Sequence, residues 1–302
     1  MVPVIVRTPA KVNLQLSVGP QRPDGYHELL TVFHALSLED TITASEGSGV
    51  TLTMAGEGAE KLPTDESNLA HQAAALLAQN AGIEPNVTLH IDKQIPIAGG
   101  MAGGSADAAG TLVACDALWR LGYDREQLSE MAAQLGSDVP FALHGGNAIG
   151  RGRGEEITPI LGRGEFHWVL ALADGGLSTP EVYRRCDELR GDEQVAEPEI
   201  ADELLHALRS GDADQLAGAL RNDLQAAALS LRPTLRGLLE SGIEFGALAG
   251  LVSGSGPTCA FLVRDGDHAL DVAVANRSEE RRVARCPGRT SLRPELLHQS
   301  AQ

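Results

Sequence analysis

The feature that most constrains this chain is a glycine-rich segment at residues 96–109, PIAGGMAGGSADAA, in which four glycines and a serine lie within seven positions. Val87, Leu89 and Ile91 alternate with polar residues before it, which predicts a β-strand. The small and apolar residues after it predict a helix that is central and buried. Glycines let backbone N–H groups turn toward an anion, and a helix N-terminus adds unpaired N–H donors. The segment therefore predicts a phosphate-binding loop, with a flexible linker or a tight turn as the alternative.

The segment lacks the signatures of the two commonest phosphate loops. No Gly-Lys-Ser/Thr sequence ends it, and it contains no G-x-G-x-x-G pattern followed by an acidic residue at the usual distance. Because the loop contains no lysine, the positive charge that neutralises a phosphate must come from a distant lysine, a bound Mg²⁺ ion or the helix dipole.

Composition limits the possible function classes. Hydrophobic residues make up 43% of the 302 residues but aromatic residues only 3%, so the core must consist mainly of aliphatic side chains. A formal net charge of −17 argues against a partner that is nucleic acid or an anionic membrane. Without a secretory signal or membrane-length apolar run, and without paired cysteines, the sequence predicts a cytoplasmic protein with reduced thiols. The four cysteines are Cys115, Cys186, Cys259 and Cys286.

The pattern of apolar residues predicts an α+β fold in two units, with a boundary near 150–165. The predicted strands lie at 4–7, 12–18, 29–45, 50–54, 87–91, 168–173, 247–252 and 259–263. The predicted helices lie at 67–80, with Ser67 as its N-cap, and at 105–119, 125–135, 180–190, 197–209, 212–229 and 233–240.

Three further segments carry residues suited to phosphoryl chemistry. Asp138, in GSDVPF, is either a turn or cap aspartate or a general base for a substrate hydroxyl. Lys11 starts an alternating strand and is either a solvated surface lysine or the cation that the glycine segment lacks. The second glycine segment, SGSGPT at 253–258, is either a hairpin turn or a loop that closes over phosphates.

In this order and spacing, the segments resemble the GHMP kinase superfamily, which carries an N-terminal lysine segment, a P-x3-G-L-G-S-S-type central loop and a C-terminal glycine loop. The sequences PAKVNL, RPDGYHEL and GSDVPF extend the resemblance, which covers roughly residues 5–265. It implies two α+β lobes, 1–158 and 159–302, with the active site in the cleft between them and the chain end returning to the first lobe.

The resemblance also implies an ATP-dependent kinase acting on a small-molecule alcohol. The matching segments are most similar to the branch whose substrate is a cytidine diphosphate-linked methylerythritol. A homoserine-type or mevalonate-type kinase, or a non-catalytic sensor with this fold, is the alternative. The resemblance implies no nucleic-acid or membrane partner and a monomer or weak homodimer, and the chemistry calls for Mg²⁺ with ligands that the sequence does not assign.

Residue roles follow from the same resemblance. Lys11 and Asp138 fall on the catalytic pair, Tyr26 and Tyr183 on the aromatic residues that sandwich cytosine, and His27 on the residue that reads the edge of the base. Asn13 and Thr179 are also expected at the substrate. The residues expected around ATP are Asn68, near adenine, and Pro96, Ile97, Ala98, Gly99, Gly100, Met101, Ala102, Gly103, Gly104, Ser105 and Ala106.

Three residues depart from the pattern of the family. Met101 replaces the usual leucine, and Ala102 stands where glycine is common, although alanine restricts φ. Asp107 stands where asparagine is often found. Its negative charge beside bound phosphates requires a compensating cation.

Overall fold

The computed structural model describes residues 2–97, 99–173, 175–275, 282–289 and 294–297. The strands are β1 (Val4–Gln21), β2 (His27–Ser45), β3 (Val50–Gly56), β4 (Val87–Lys93), β5 (Asn147–Arg151), β6 (Glu156–Ile160), β7 (Glu165–Leu172), β8 (Arg221–Asn222), β9 (Ala249–Val252), β10 (Cys259–Val263), β11 (Arg282–Arg289) and β12 (Glu295–Leu297). The helices are α1 (Leu69–Ala81), α2 (Gly103–Trp119), α3 (Arg125–Leu135), α4 (Val139–His144), α5 (Thr179–Arg190), α6 (Asp202–Ser210), α7 (Ala213–Ala219), α8 (Gln225–Leu231), α9 (Thr234–Glu244) and α10 (Gly266–Ala275).

β1 is one continuous strand of 18 residues, where the sequence pattern predicted two separate strands. It pairs antiparallel with β2 along almost its whole length. Pro9 does not end the strand because the register shifts between Pro9 and Lys11, and such an irregularity tolerates a residue without an N–H donor. The consequence for the site is that Lys11 lies in the middle of the sheet rather than at a strand end.

The sheet grows outward from the β1–β2 pair. β4 and β5 pair with β2, β3 pairs parallel with β4, and β6 pairs with β5. β12 and the short β8 pair with β1. A single register position, Gly288 against Leu36, joins β2 to the β11–β7–β10–β9 strands. This mixture of mostly antiparallel strands and helices confirms the predicted α+β class.

α2 lies against the β1–β2 pair and is buried along most of its length, as its apolar composition predicted. Ala106, Leu112 and Leu118 belong to the main hydrophobic core, which also includes Leu14 of β1 and Trp168 of β7. This core therefore includes residues from both sides of the predicted 150–165 boundary. The division into lobes 1–158 and 159–302 stays a prediction.

Several details differ from the sequence-based predictions. The helix predicted at 197–209 begins at Asp202, and β5, β6 and α4 were not predicted. The N-cap of α1 is Asn68 rather than Ser67, because the Asn68 side chain accepts a hydrogen bond from the backbone N–H of Ala70. The helix predicted at 212–229 is divided into α7 and α8 by β8. Asn222 stabilises this break, since its amide donates to the carbonyls of Val252 and Gly254 and its oxygen accepts from the N–H of Leu224.

The structure describes the side chains of three of the four cysteines. Cys115, Cys186 and Cys259 are buried free thiols, and the side chain of Cys286 lies outside the described residues. In the part of the chain that the structure describes, no helix combines the length and apolarity needed to cross a bilayer.

Gly110 lets α2 approach the sheet closely, so Gly110→Ala is expected to destabilise the fold. An added Cβ atom would lie 2.6 Å from Ile42 Cδ1 and 2.8 Å from Thr8 Cγ2, which are both in the core. Overpacking of this kind lowers the free energy of unfolding by about 1–3 kcal/mol. Urea unfolding measures the change.

Gly237→Ala provides the matched control, because nothing lies within 4 Å of its Cβ position on α9. There, helix propensity alone predicts a gain of up to about 1 kcal/mol. If Gly110→Ala were as stable as Gly237→Ala, the close approach of α2 to the sheet would be wrong.

Candidate active site

The glycine segment forms the connection between β4 and α2, as predicted. Gly100 has a φ of 72°, and a Cβ atom added to it would lie 2.2 Å from the carbonyl oxygen of Ser253, so this position requires glycine. Ala102 adopts a left-handed conformation with a φ of 60° immediately before α2 begins. The departure from glycine at position 102 is therefore accommodated with a strained backbone rather than with a different loop shape.

Lys11 is buried and reaches the glycine segment from β1. Its Nζ donates hydrogen bonds to Asn13 Oδ1 at 2.8 Å and to the Gly100 carbonyl at 2.9 Å, and its backbone N–H donates to the Met101 carbonyl. Ser253 Oγ donates to the same Gly100 carbonyl at 3.1 Å. The loop between β9 and β10 is thus both a hairpin connection and a neighbour of the glycine segment.

Asp138 lies at the start of α4, and its Oδ2 is 3.8 Å from Lys11 Nζ. Its side chain is 30% exposed and makes no capping hydrogen bond to α4. Burial lowers the pKa of Lys11, and the charge and hydrogen bonding of Asp138 oppose this shift. The structure therefore brings together the two residues that the sequence predicted as a catalytic pair, one buried and one open to a ligand.

A first cavity, of about 360 Å³, lies on one side of this pair. Asn68 of α1 lines it, together with described residues of the glycine segment: Pro96, Ile97, Gly99, Gly100, Met101, Ala102, Gly103 and Gly104. Ser105 and Ala106 follow inside α2, where Ala106 is fully buried. Ala98, also predicted at this site, lies outside the described residues.

Two further cavities continue from the first. The second, of about 180 Å³, shares Gly100 and Ala102 with the first and is lined by Lys11, Asn13 and Asp138. The third, of about 620 Å³, is lined by Tyr26, His27 and Tyr183. Tyr183 and Thr179 line both the second and the third cavity. Apart from Ser105, Ala106 and Ala98, the predicted site residues therefore line three adjoining cavities, with the Lys11–Asp138 pair at the middle one.

The aromatic residues of the third cavity contact one another and their neighbours. His27 stacks on Tyr183 with ring centroids 5.3 Å apart, and its Nε2 lies 2.9 Å from Asp187 Oδ1. Tyr26 is 55% exposed, with the Arg153 guanidinium 5.2 Å from its ring centroid. Burial raises the pKa of Tyr183, so its hydroxyl is neutral at physiological pH. Because Asp187 engages Nε2, contact of His27 with a base would use Nδ1.

Three predicted residues contribute through their hydrogen bonds. The Asn13 amide donates to Thr31 Oγ1 at 2.7 Å, which orients the oxygen that accepts from Lys11. Thr179 Oγ1 lies 2.9 Å from Ser255 Oγ. Asn68 caps α1 and also donates to the Pro63 carbonyl, so the polar atoms of its side chain already have partners beside the first cavity.

Asp107 has the compensating cation that its position requires. Lys93 Nζ lies 2.7 Å from Asp107 Oδ2 and also contacts Asp40, and all three side chains are buried. Asp40 in turn accepts from the backbone N–H groups of Gln94 and Ile95. This Lys93–Asp40–Asp107 cluster joins β2, β4 and α2 beneath the first cavity.

The charges of the cluster shift one another's proton affinity. Burial raises the pKa of Asp107 to about 8, although Lys93 opposes this shift. Burial lowers the pKa of Lys93, but the two carboxylates outweigh burial and the net shift is upward. Asp107 therefore holds its proton to a higher pH than a free carboxyl does, while Lys93 stays charged.

Sequence reasoning missed several residues of the site. Arg153 lies in the glycine-rich stretch 145–154, which has no local pattern that indicates a binding residue. In the structure, Arg153 lines both the second and the third cavity. Lys93, the last residue of β4, lies three residues before the glycine segment, and this proximity was an available signal. Ser253 was not named as a site residue by itself, although it opens the second glycine segment, 253–258, which the sequence had indicated as a possible phosphate loop.

Known families and proteins match this chain in sequence and in structure. The family "GHMP kinases N terminal domain" matches residues 68–146, and "GHMP kinases C terminal" matches residues 204–281. The 4-diphosphocytidyl-2-C-methyl-D-erythritol kinase of Rhodococcus jostii (strain RHA1) is 58% identical over 272 residues, which cover 90% of this chain and 88% of the relative.

Solved structures of GHMP kinases are also similar to this chain. A 4-(cytidine 5'-diphospho)-2C-methyl-D-erythritol kinase superposes with a TM-score of 0.79 at 34% identity, covering 94% of this chain and 98% of that structure. Homoserine kinase from Cytophaga hutchinsonii superposes with a TM-score of 0.76 at 17% identity, covering 98% of each chain, and so shares the fold.

The chain is a GHMP kinase, an ATP-dependent small-molecule kinase, which confirms the resemblance seen in its motifs. The sequence match to 4-diphosphocytidyl-2-C-methyl-D-erythritol kinases extends over most of this chain and most of each relative, and so it indicates one branch of the GHMP kinases. The chain belongs to the 4-diphosphocytidyl-2-C-methyl-D-erythritol kinase family.

Asp107→Asn is expected to flatten the pH dependence of stability. Because the folded-state pKa of Asp107 is raised from 3.8 to about 8, the folded chain keeps a proton that the unfolded chain releases. The free energy of unfolding therefore falls as pH rises toward 8, at up to about 1.4 kcal/mol per pH unit for one proton. Asparagine resembles the protonated acid and does not ionise.

Urea midpoints at several pH values from about 5 to 8 measure this difference. The variant should lose less stability than the wild type across the range. Parallel pH curves for the two proteins would show that Asp107 does not hold the proton.

Proposed function

We propose that this chain transfers the γ-phosphoryl group of ATP to the 2-hydroxyl of 4-diphosphocytidyl-2-C-methyl-D-erythritol, giving the 2-phosphate and ADP in isoprenoid biosynthesis. One observation carries the proposal. Lys11 and Asp138 face each other at 3.8 Å where a cavity beneath a glycine loop meets a cavity lined by aromatic residues. Family membership supports the choice of substrate.

Each cavity has its own role in this proposal. ATP occupies the first cavity, with its phosphates against the loop that ends at the N-terminus of α2. The reacting hydroxyl lies in the second cavity beside Lys11 and Asp138. The cytidine group occupies the third, where Tyr26 and Tyr183 offer stacking faces that homoserine or mevalonate would not use.

Asp138 is proposed to orient the substrate hydroxyl and accept its proton as the new bond to phosphorus forms. Its carboxylate is suited to this role because it is partly exposed to the second cavity and is not used to cap α4. Phosphoryl transfer depends chiefly on positioning and on electrostatic stabilisation, so a fixed acceptor in line with the phosphate is sufficient.

Lys11 is proposed to stabilise the charge of the transferring phosphoryl group. Two of its three Nζ hydrogens bond to Asn13 and Gly100, which fixes the direction of the third toward Asp138 and the reacting atoms. The ammonium is buried over the Phe33 ring, 5.7 Å from the centroid, where water screens its charge little. A preoriented cation of this kind needs no reorganisation during the reaction.

Mg²⁺ is proposed to bind mainly through the phosphates of ATP. Among the described residues, no group of three or more His, Cys, Asp or Glu side chains could hold a metal ion. Magnesium commonly binds to one or two carboxylates together with substrate phosphates. Asp107, which lines the first cavity, fits this pattern because its buried Oδ1 has no hydrogen-bond partner. Burial favours its protonated form, and the charge of a bound ion would favour the ionised carboxylate instead. When bound, the ion would supply positive charge to the phosphates.

The surroundings of the reaction follow from charge and composition. A chain with a formal net charge of −17 is unsuited to binding nucleic acid or anionic membranes. We therefore propose a cytoplasmic enzyme whose partner is its small-molecule substrate and which acts as a monomer or weak homodimer.

The test is ATP consumption by the purified protein with Mg²⁺, with 4-diphosphocytidyl-2-C-methyl-D-erythritol, homoserine and mevalonate offered in parallel. Turnover with the cytidine-linked alcohol alone is the expected result. Turnover with another alcohol would overturn the substrate, and ATP binding without turnover would favour a sensor.

Asp138→Asn and Lys11→Met should each lower kcat by about 10²–10⁴-fold, because each removes a charge that acts in the transition state. Both replacements are close in size to the native side chain, so the far-UV circular dichroism spectrum should stay unchanged. Steady-state kinetics measures kcat. If both folded variants kept near-normal kcat, this catalytic pair would be wrong.

Tyr26→Ala should raise KM for the cytidine-linked substrate while KM for ATP stays unchanged. Stacking of a base on an aromatic ring contributes about 1–3 kcal/mol, so KM should rise roughly fivefold to a hundredfold. Tyr26 is exposed, and its loss should not disturb the core. Tyr26→Phe, which keeps the ring, is the control and should behave like the wild type; an equal effect of both changes would argue against stacking.

A further inference from the structure

The second and third cavities meet at a junction that contains one charged side chain. Five of the described residues line both cavities: Leu29, Ser137, Arg153, Thr179 and Tyr183. Arg153 is the one among them that carries a charge. It follows the end of β5 by two residues, so the sheet anchors the segment that presents it.

The proposed function requires a diphosphate at this junction. If the cytidine base lies beside Tyr26 and the reacting alcohol beside Asp138, the diphosphate that links them must cross from the third cavity to the second. Carboxylates already line this path, since Asp187 lines the third cavity and Asp138 the second. A negatively charged linker therefore needs a cation between them.

The guanidinium of Arg153 is held in place from two sides. Glu155 accepts hydrogen bonds from Arg153 Nε at 3.2 Å and from its backbone N–H at 2.6 Å, and the guanidinium lies over the Tyr26 ring. The hydrogen bond from Glu155 and its charge raise the pKa of Arg153, so the cation is permanent. Because Glu155 engages Nε, a ligand would be bound by the two Nη nitrogens, beside the Tyr26 side chain, which also interacts with the guanidinium.

We propose that Arg153 binds the diphosphate of the substrate through these Nη nitrogens. This inference rests on the proposed function and deepens it. A planar guanidinium matches two phosphate oxygens at once, which a lysine ammonium does not. Glu155 is the positioning residue, since it fixes the rotation of the guanidinium. Arg153 thereby spans the two parts of the substrate site and sets the distance between base and alcohol.

The test compares binding of cytidine 5'-diphosphate and of cytidine to the full chain by isothermal titration calorimetry. The two probes share the base and differ in the diphosphate. The variants are Arg153→Gln and, as matched control, Arg151→Gln. Arg151 ends β5, is exposed, and lines a different cavity with Arg22 and Glu197, so the control changes the net charge equally at a nearby point.

Arg153→Gln is expected to weaken cytidine 5'-diphosphate binding about tenfold to hundredfold, since it removes a charge-assisted hydrogen bond. Cytidine binding should change less than threefold, and Arg151→Gln should leave both affinities at wild-type values. Arg153→Lys keeps the charge but loses the planar guanidinium with its two Nη donors. Its affinity for cytidine 5'-diphosphate should lie between those of the wild type and Arg153→Gln. Glu155→Gln should weaken the diphosphate probe alone, because it acts through Arg153.

Other outcomes overturn the proposal in distinguishable ways. An equal loss for both probes in Arg153→Gln would place Arg153 in base binding through Tyr26 rather than in diphosphate binding. An equal loss in Arg153→Gln and Arg151→Gln would show a general effect of net charge. If the wild type bound neither probe, the cytidine site itself would be wrong, and with it the proposed function.

Discussion

The carbonyl oxygen of Gly100 accepts hydrogen bonds from both Lys11 Nζ and Ser253 Oγ, and the arrangement of the whole site depends on this contact. It joins β1, the glycine segment and the loop between β9 and β10, which lie far apart along the chain. The contact requires a left-handed glycine, because a Cβ atom would overlap the Ser253 carbonyl. One backbone oxygen thus sets both the position of the Lys11 ammonium and the shape of the loop beside it.

Local sequence patterns predicted the parts of the site that depend on neighbouring residues. The glycine segment between a strand and a helix, Lys11 on an alternating strand and Asp138 between a helix end and a proline could all be recognised, because each pattern spans a few residues. The same holds for α2, whose uniformly small and apolar residues predicted its buried position. The family resemblance rested on the order of these same segments.

Residues whose roles depend on long-range contacts were not predictable in the same way. Asp107 looked misplaced beside a phosphate loop, because its partners Lys93 and Asp40 belong to β4 and β2. Their meeting depends on strand register and on the depth at which α2 packs, which no local pattern records. Arg153 is similar, since only the meeting of two cavities distinguishes it from other exposed arginines. At Pro9 the sequence predicted a break between two strands, but a register shift lets one strand continue through this residue.

The residues proposed to carry the reaction and those proposed to recognise the substrate lie on different kinds of chain segment. Lys11 and Asn13 are two residues apart on a central strand, so the pleat of the sheet sets their spacing at about 7 Å. Tyr26 and Arg153 lie in connections between strands, where changes of length and sequence are tolerated. Substitutions and changes of length are therefore better tolerated in the connections at the edge of this site than on the strand at its centre. The fold itself is compatible with extensive sequence change, since a homoserine kinase shares it at 17% identity.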